Sequence, residues 1–250
     1  MITLLRFYAQ DAHTIQYPFM GESGYFAVFD GHGGKEAADF SSLKLHEVLE
    51  MELKSCEQSN KSMRECFEVS YAKTDELLKG RAEYVGTTAV TCYLKNQGLS
   101  TRLYVANAGD ARAVLCRDGK ALRVTYDHKP SVESERQRLI ASGAFVARNR
   151  VNAVLAVSRA LGDHALKKFV ISEPNFWEGD LSPADAFLII ACDGLWDVVQ
   201  DQEAIELVAG KNSAKDMSDI LVREALKRGS TDNISVMAVR FCWEVRLPQN

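Results

Sequence analysis

Four short stretches place a carboxylate at the edge of an apolar run and follow it with a small or amide residue. They are Val28-Phe29-Asp30-Gly31, Ala108-Gly109-Asp110-Ala111, Ala191-Cys192-Asp193-Gly194 and Thr231-Asp232-Asn233. Each stretch alone is typical of an Asx turn at the end of a strand. Several carboxylates that meet at a dry sheet edge, however, repel one another unless cations lie between them. All-oxygen donors suit Mg²⁺ or Mn²⁺ rather than zinc, and a glycine after the acid lets a backbone carbonyl approach the same ion.

One histidine lies beside this cluster, in the stretch Asp30-Gly31-His32-Gly33-Gly34. A plain turn histidine and a metal ligand are two interpretations of His32. We favour a third, a proton donor, because its neighbours are rich in oxygen and an imidazole titrates near working pH. This spacing therefore indicates an acid for metals, open backbone for metal contact and an imidazole for a leaving group.

The elements that must position these residues fall into separate blocks of helix and strand. Helical spacing predicts helices over 35–53, 61–79, 134–142, 202–209 and 214–228. Apolar runs between turn residues predict strands over 24–29, 88–94, 103–107, 111–116, 121–125, 184–192 and 233–241. Consecutive strands joined by short turns pair antiparallel, so we predict an α+β fold.

The domain organisation follows from what separates these elements. A length of 250 residues is compatible with one large domain or two small ones. The sequence contains no repeat, no low-complexity segment and no linker rich in Pro, Gly or Ser. We therefore expect a single domain over residues 1–250, and the hydrophobic content of 46% predicts a sizeable core.

Charge and hydropathy exclude several classes of function. A net charge of −4 argues against a general binder of nucleic acid or of anionic membranes, which needs a basic face. No run approaches the ~18 apolar residues of a membrane span, and the first six residues are too short and too soon charged for a signal peptide. The six cysteines form no CxxC pair, which favours free thiols in a reducing compartment over a zinc site. We expect a cytoplasmic or nuclear protein that binds neither membrane nor nucleic acid.

The sequence also resembles the metal-dependent protein serine/threonine phosphatases of the protein phosphatase 2C family. Eight motifs carry this resemblance, in the order expected for the family and over roughly residues 4 to 241. They are Arg6 with Gln10-Asp11-Ala12-His13, then FAVFDGHGG at 26–34, GTTAV at 86–90, ANAGDAR at 106–112, DHKP at 127–130, LAVSRALGD at 155–163, ACDGLWD at 191–197 and STDN at 230–233.

The resemblance implies a central sandwich of two antiparallel sheets flanked by helices on both sides, with two Mg²⁺ or Mn²⁺ ions at one edge. Each metal assignment transfers from a matching motif position. Asp30 would bridge both ions, the Gly31 carbonyl would bind one, Asp193 and Asp232 would hold the other, Asp11 would act through metal-bound water, and Asp127 and Asp197 would bind a weaker third ion. Asp110 is expected only to order a turn.

The same resemblance implies hydrolysis of phosphoserine and phosphothreonine in protein substrates. His32 would protonate the leaving alkoxide, and Arg6 would bind two phosphate oxygens through its planar guanidinium. We also expect a monomer. The chain departs from the family pattern at Gln10, where many members have glutamate, and in residues 1–5, which supply only a fragment of the usual leading strand. We expect weaker binding of one ion, with activity retained.

Two other classes of function remain as alternatives. A catalytically silent phosphatase-like binding domain is suggested by Gln10 and the short start of the chain, although the core ligand positions and His32 are intact. A metal-dependent phosphodiesterase or nuclease would share the two-metal logic, but the acidic balance and the lack of a basic stripe disfavour it.

Overall fold

A computed structural model of the chain describes residues 10–56, 61–98 and 100–243, and the backbone of residues 2–7. Six α-helices lie in these ranges: α1 (Glu36–Cys56), α2 (Met63–Leu77), α3 (Glu133–Ala141), α4 (Asp193–Trp196), α5 (Asp201–Val208) and α6 (Ala214–Lys227). The strands are β1 (Ile2–Phe7), β2 (Ala12–Phe19), β3 (Ser23–Phe29), β4 (Gly31–His32), β5 (Gly86–Thr87), β6 (Ala89–Gln97), β7 (Ser100–Ala108), β8 (Arg112–Arg117), β9 (Lys120–Arg123), β10 (Val146–Ala147), β11 (Arg150–Val151), β12 (Leu161–Gly162), β13 (Asn175–Leu181), β14 (Asp185–Ala191) and β15 (Ile234–Arg240).

Two five-stranded sheets form the centre of the fold. The first has the strand order β1-β15-β14-β8-β9 and the second the order β13-β7-β6-β3-β2, and every strand pair within them is antiparallel. A smaller sheet, β12-β5-β4, and the β10-β11 hairpin complete the pairing. The two large sheets bring the ends of β3, β14 and β15 to one edge of the sandwich.

Alternation along the strands separates the molecule into layers. Phe26 and Val28 of β3 join a cluster that contains Leu188 and Ile190 of β14 and therefore fills the space between the sheets. Tyr25, Ala27 and Phe29 lie on the opposite face of β3, in a cluster with buried residues of α1 and α2. Residues of α5 and α6 pack in a third cluster with β14 and β15. This period of two is the signature of strands buried on both faces, and it produces a helix–sheet–sheet–helix sandwich.

The predicted α+β fold with two antiparallel sheets between helices is thus confirmed. Every predicted helix and strand exists, and most boundaries agree within about three residues. The residue pattern did not predict β2 or β13. Both are edge strands of the second sheet, and their burial alternates irregularly. Edge strands need no continuous apolar run, so a search for apolar runs overlooks them.

The segment between α3 and β13 forms a separate small layer beside the sandwich edge. Leu139 of α3, Val151 of β11 and Val170 belong to its own apolar cluster. Glu135 of α3 is 2% exposed and accepts hydrogen bonds from Arg138 and Arg159. These contacts hold the segment 150–162 in place. Within the described ranges, no helix is long and apolar enough to cross a membrane.

Candidate active site

A polar cleft of about 300 Å³ lies at the edge of the sandwich where β3 and β14 end and β15 begins. Four carboxylates from distant parts of the chain line it, and so do a glycine and the candidate proton donor. These residues are Asp30, Gly31, His32, Asp110, Asp193 and Asp232. The structure therefore brings together the acids, the backbone and the imidazole that the sequence pattern singled out, and their roles as ligands stay a prediction.

Asp30 is held at the end of β3 through its backbone. Its carbonyl oxygen accepts hydrogen bonds from the Thr88 backbone N–H at 2.8 Å and from the Thr87 hydroxyl at 3.0 Å. Thr87 and Thr88 belong to the motif at 86–90, which explains why that motif accompanies the acid. The Asp30 side chain extends from this strand end and lines the cleft.

Asp193 begins the single turn α4, directly after the buried strand β14. A Cβ on the next residue, Gly194, would overlap the backbone oxygen of Asn233. Glycine therefore lets α4 touch the loop that carries Asp232. Ser230 donates a hydrogen bond to the Gly194 carbonyl at 2.7 Å and closes this contact.

Asp232 is exposed and lies two residues before β15, where its carboxylate accepts a hydrogen bond from the Asn233 backbone N–H at 2.7 Å. The Asn233 side chain in turn accepts from the Gln10 backbone N–H at 3.0 Å. Gln10 lines the same cleft. Asn233 thus connects the start of the chain to the Asp232 loop.

The electrostatics of the cleft show that the carboxylates repel one another. Burial raises the pKa of Asp30 well above its usual range, and the charges of Asp193 and Asp11 raise it further. The pKa of Asp193 is also raised, to about 7. Burial is the largest cause, and the charges of Asp110 and its other acidic neighbours are the next. A divalent cation would remove this repulsion.

The donor set fits a hard divalent cation. One carboxylate oxygen of Asp30 and one of Asp193 lie within 4.8 Å of each other. Two oxygens on opposite sides of one Mg²⁺ lie about 4.2 Å apart, so the pair needs only a small side-chain adjustment. Cys192 is also near, but burial raises its pKa, and its sulfur bonds to the backbone of Asn233 and Ser235. A buried, protonated thiol is a poor ligand for a hard ion, so oxygen donors remain.

The structure places Asp110 in the cleft lining and Asp127 outside it, and the third-ion role of Asp127 stays a prediction. Asp110 is 4% exposed and lines the cleft, where we expected only a turn residue. Asp127 lies outside the cleft lining, and both its oxygens accept hydrogen bonds from Arg112. Asp197, the other residue assigned to a third ion, accepts from Lys129 at 2.9 Å, and Lys129 also approaches Asp110 at 3.4 Å.

The two remaining predicted residues lie in the segment that leads to β2. Asp11 is fully buried, its charge contributes to the raised pKa of Asp30, and it does not belong to the cleft lining. Arg6 lies in β1 opposite Ser235 of β15. The Arg6 side chain is outside the described residues, and its phosphate-binding role stays a prediction.

His32 has a partner that sequence reasoning missed. Its Nε2 lies 2.7 Å from Oδ2 of Asp163, a residue that is 131 positions away in the chain. Asp163 ends the motif LAVSRALGD, but no spacing rule links a single acid to a histidine so distant in sequence.

Arg150 is a second residue that sequence reasoning missed. It begins β11, is exposed, and lines the same cleft as the acids. Its guanidinium donates to the Val154 carbonyl at 2.7 Å, and this bond holds the arginine against its own loop. The position places one cation at the mouth of an acidic cleft.

Comparisons with known proteins agree with this arrangement. The family model described as Protein phosphatase 2C matches residues 5–234. Protein phosphatase 2C homolog 1 of Schizosaccharomyces pombe is 41% identical over 243 residues, which cover 93% of this chain and 68% of that protein. Protein phosphatase 2C homolog 1 of Saccharomyces cerevisiae is 37% identical over 246 residues, which cover 92% of this chain and 87% of that protein.

Solved structures show the same fold. A C. elegans sex determining protein superposes with a TM-score of 0.84 and 27% identity, over 95% of this chain and 64% of that one. A serine-threonine phosphatase 2C from Toxoplasma gondii gives a TM-score of 0.80 at 22% identity, over 96% and 94% of the two chains. At that identity the second comparison supports the fold alone.

The chain therefore belongs to the protein phosphatase 2C family. Its class is that of the metal-dependent serine/threonine protein phosphatases, as the resemblance implied. It spans about two thirds of the length of the fission yeast relative and of the nematode structure.

Proposed function

We propose that this chain hydrolyses phosphoserine and phosphothreonine in proteins at the cleft lined by Asp30, Asp193 and Asp232, with His32 as the proton donor. The observation that carries the proposal is the convergence of these carboxylates, from two different sheets, in a cleft that also contains His32. Phosphorylated proteins are the proposed substrates, and we propose no nucleic-acid or membrane partner.

The metal ligands in this proposal are the side chains of Asp30, Asp193 and Asp232 and the carbonyl of Gly31. All of them are oxygen donors, which favours two Mg²⁺ or Mn²⁺ ions over zinc. When bound, such ions supply a water nucleophile at neutral pH and neutralise the phosphate oxygens. The mutual repulsion of the acids in the cleft supports this assignment.

The protein side chains do the rest. Arg6 on β1 would bind and orient the phosphate through its fork of N–H donors. As the bond from phosphorus to the serine or threonine oxygen breaks, that oxygen takes the electron pair and receives a proton from His32. Hydrogen bonds from Thr87 and Thr88 to the Asp30 carbonyl keep the end of β3 in place while this happens.

A weaker third ion is part of the proposal, and its ligands need one change. Asp193, Asp197 and Asp110 are close enough for the charges of Asp197 and Asp110 to raise the pKa of Asp193, after burial. Asp127 is instead neutralised by Arg112. We therefore replace Asp127 by Asp110 as the partner of Asp197 at this position.

The chain is proposed to act as one catalytic domain over residues 1–250, as a monomer of the cytoplasm or nucleus. All six cysteines are free, which suits a reducing compartment. Size-exclusion chromatography with light scattering tests the monomer, and limited proteolysis tests the single domain.

The decisive experiment measures phosphate release from a phosphoserine peptide and from p-nitrophenyl phosphate, with and without Mn²⁺. The variants are Asp30→Ala, Asp193→Ala and Asp232→Ala, with Asp180→Ala as the matched control on the surface of β13. We expect the first three to lose Mn²⁺-dependent activity and the control to retain it, with circular dichroism unchanged in all four.

Two results would count against the proposal. Normal peptide hydrolysis by Asp193→Ala would show that the site is wrong. Failure of the unaltered protein to release phosphate with Mn²⁺ would favour the catalytically silent binding domain, and faster turnover of phosphodiesters than of phosphomonoesters would favour a phosphodiesterase.

A further inference from the structure

The small sheet β12-β5-β4 lies beside the cleft and joins three of the family motifs. His32 of β4 pairs with Gly86 of β5, and Gly86 pairs with Gly162 of β12. Asp163 follows β12 directly. The register of three two-residue strands thus places Asp163 next to His32, although the two come from opposite halves of the sequence.

The contact between the two side chains is short, and its acidic partner is buried while His32 is half-buried. Nε2 of His32 lies 2.7 Å from Oδ2 of Asp163, which is 2% exposed. A Cβ on Gly86 would overlap both atoms of this contact. The absence of a side chain at Gly86 is therefore what makes room for the pair, since glycine is the residue that permits such close approach.

The backbone of Asp163 is held in an uncommon conformation. Its φ of +51° and ψ of +40° lie in the left-handed region, where Asp and Asn are tolerated better than most residues. Its N–H donates to the Val85 carbonyl at 2.9 Å. Asp75 supports the preceding residue by accepting a hydrogen bond from the Gly162 N–H at 2.8 Å. These bonds hold Asp163 in the geometry that reaches His32.

We propose that Asp163 is a positioning residue that fixes the ring of His32 and determines which ring nitrogen serves the reaction. The inference rests on the proposed role of His32 as the proton donor. Nε2–H donates to the Asp163 carboxylate, so Nδ1 is the nitrogen that delivers its proton to the leaving serine oxygen. Transfer moves the Nδ1 proton to that oxygen, and the Nε2 proton stays in its hydrogen bond to Asp163.

The choice of leaving group separates positioning from general damage. A serine alkoxide needs a proton as it departs, whereas p-nitrophenolate is a stable anion and leaves without one. Loss of correct ring orientation should therefore slow phosphoserine peptide and spare p-nitrophenyl phosphate. A merely structural defect near the cleft would slow both substrates alike.

Asp163→Asn is the test variant, because asparagine has the same shape and accepts the left-handed backbone. We expect kcat for phosphoserine peptide to fall about 10- to 100-fold, as is typical when the carboxylate behind a functional histidine is lost. The KM for the peptide and the kcat for p-nitrophenyl phosphate should stay within about twofold. Asp75→Asn is the matched control: it weakens the same segment without touching His32 and should affect both substrates equally.

His32→Ala and the double variant decide whether the two residues act together. If Asp163 acts through His32, then His32→Ala with Asp163→Asn should be no slower than His32→Ala alone. Independent, multiplying losses would overturn the proposal. If His32→Ala loses activity selectively toward the phosphoserine peptide and Asp163→Asn does not, the positioning role of Asp163 is refuted and the proposed function stands. No selective loss in His32→Ala would refute the proton-donor role itself.

A spectroscopic measurement tests the geometry without metal or turnover. In metal-free protein labelled with ¹⁵N in its five histidine rings, His32 is assigned by its loss in His32→Ala. We expect the neutral ring to carry its proton on Nε2, and we expect Asp163→Asn to shift this resonance. A ring protonated on Nδ1 in the unaltered protein would overturn the proposal.

Discussion

Replacing Asp193 by asparagine should stabilise the metal-free protein and remove its response to Mn²⁺. Burial and the charges of Asp110, Asp197 and Asp232 raise the pKa of this carboxyl to about 7, and Lys129 offsets only part of the effect. The charged form of Asp193 is therefore unfavourable in the folded protein. Asparagine keeps the shape and removes the charge, so the repulsion disappears together with a proposed metal ligand.

The magnitude follows from the change in pKa. A rise from 3.8 to about 7 corresponds to about 4 kcal/mol against the charged form, at about 1.4 kcal/mol per pKa unit. Asp193 is partly exposed, and solvent screening reduces the effect to about 2 kcal/mol. For a protein of 250 residues this raises Tm by about 4–8 °C.

The effect has a defined pH range. Because the pKa of Asp193 is higher in the folded than in the unfolded chain, the folded state holds the proton longer as pH rises. The metal-free protein with aspartate therefore loses stability between about pH 4 and pH 7. The gain from asparagine should be full above pH 7 and absent below pH 4.

The assay is thermal unfolding in EDTA at pH 8 and pH 4, followed by titration with Mn²⁺ at pH 8. Asp180→Asn, on the exposed surface of β13, is the control and should behave as the unaltered protein does. A Tm below that of the unaltered protein at pH 8 would refute the reasoning on repulsion. An undiminished rise of Tm with Mn²⁺ in Asp193→Asn would refute its role as a ligand.

Three further predictions concern residues around the cleft. Gln10→Glu adds a carboxylate at the cleft and should tighten Mn²⁺ binding about fivefold, since one such charge contributes about 1 kcal/mol. Calorimetric titration with Mn²⁺ measures this affinity, and an unchanged value would contradict the prediction. Arg150→Ala should raise KM for an acidic phosphopeptide about tenfold. Arg148 lies outside the cleft lining, so Arg148→Ala should leave KM unchanged. The same KM in Arg150→Ala and in the unaltered protein would rule out a role for Arg150 in binding. Glu135→Gln removes a buried charge that Arg138 and Arg159 neutralise. Denaturant melts should show a free energy of unfolding lower by about 3 kcal/mol. A decrease below about 1 kcal/mol would show that this ion-pair network is not important for stability.

Much of the fold was predictable because its core strands and helices carry strong local patterns. The run that forms β14, for example, is apolar from Ala186 to Ala191 and is buried at every residue but Ala186. Helix α6 begins after Ser213, whose side chain accepts a hydrogen bond from the Asp216 N–H, and ends close to Gly229. Strands β2 and β13 lacked such a signal because each lies at an edge, where one side of the strand has no neighbour to demand apolar residues.

The site was predictable in part. Strand-end acids with glycines identified Asp30 and Asp193 as candidates, and the structure brings both into one cleft with Asp232. The motif around Asp110 led us to expect only a turn residue there, and no pattern singled out Asp163. Spacing could not place either residue, because a sequence shows that an acid follows a strand but not which other side chain that acid faces.

The sequence by itself determined most of the long strands and helices and which types of side chain stand at their ends, because periodicity and turn chemistry act over a few residues. Only the tertiary structure decided which of those ends meet. Asp127 is hydrogen-bonded to Arg112 outside the cleft lining, and Lys129 forms ion pairs with both Asp110 and Asp197. The missing side chain at Gly86 leaves room for Asp163 to contact His32. Such choices depend on the packing of elements more than a hundred residues apart, and no local pattern encodes them.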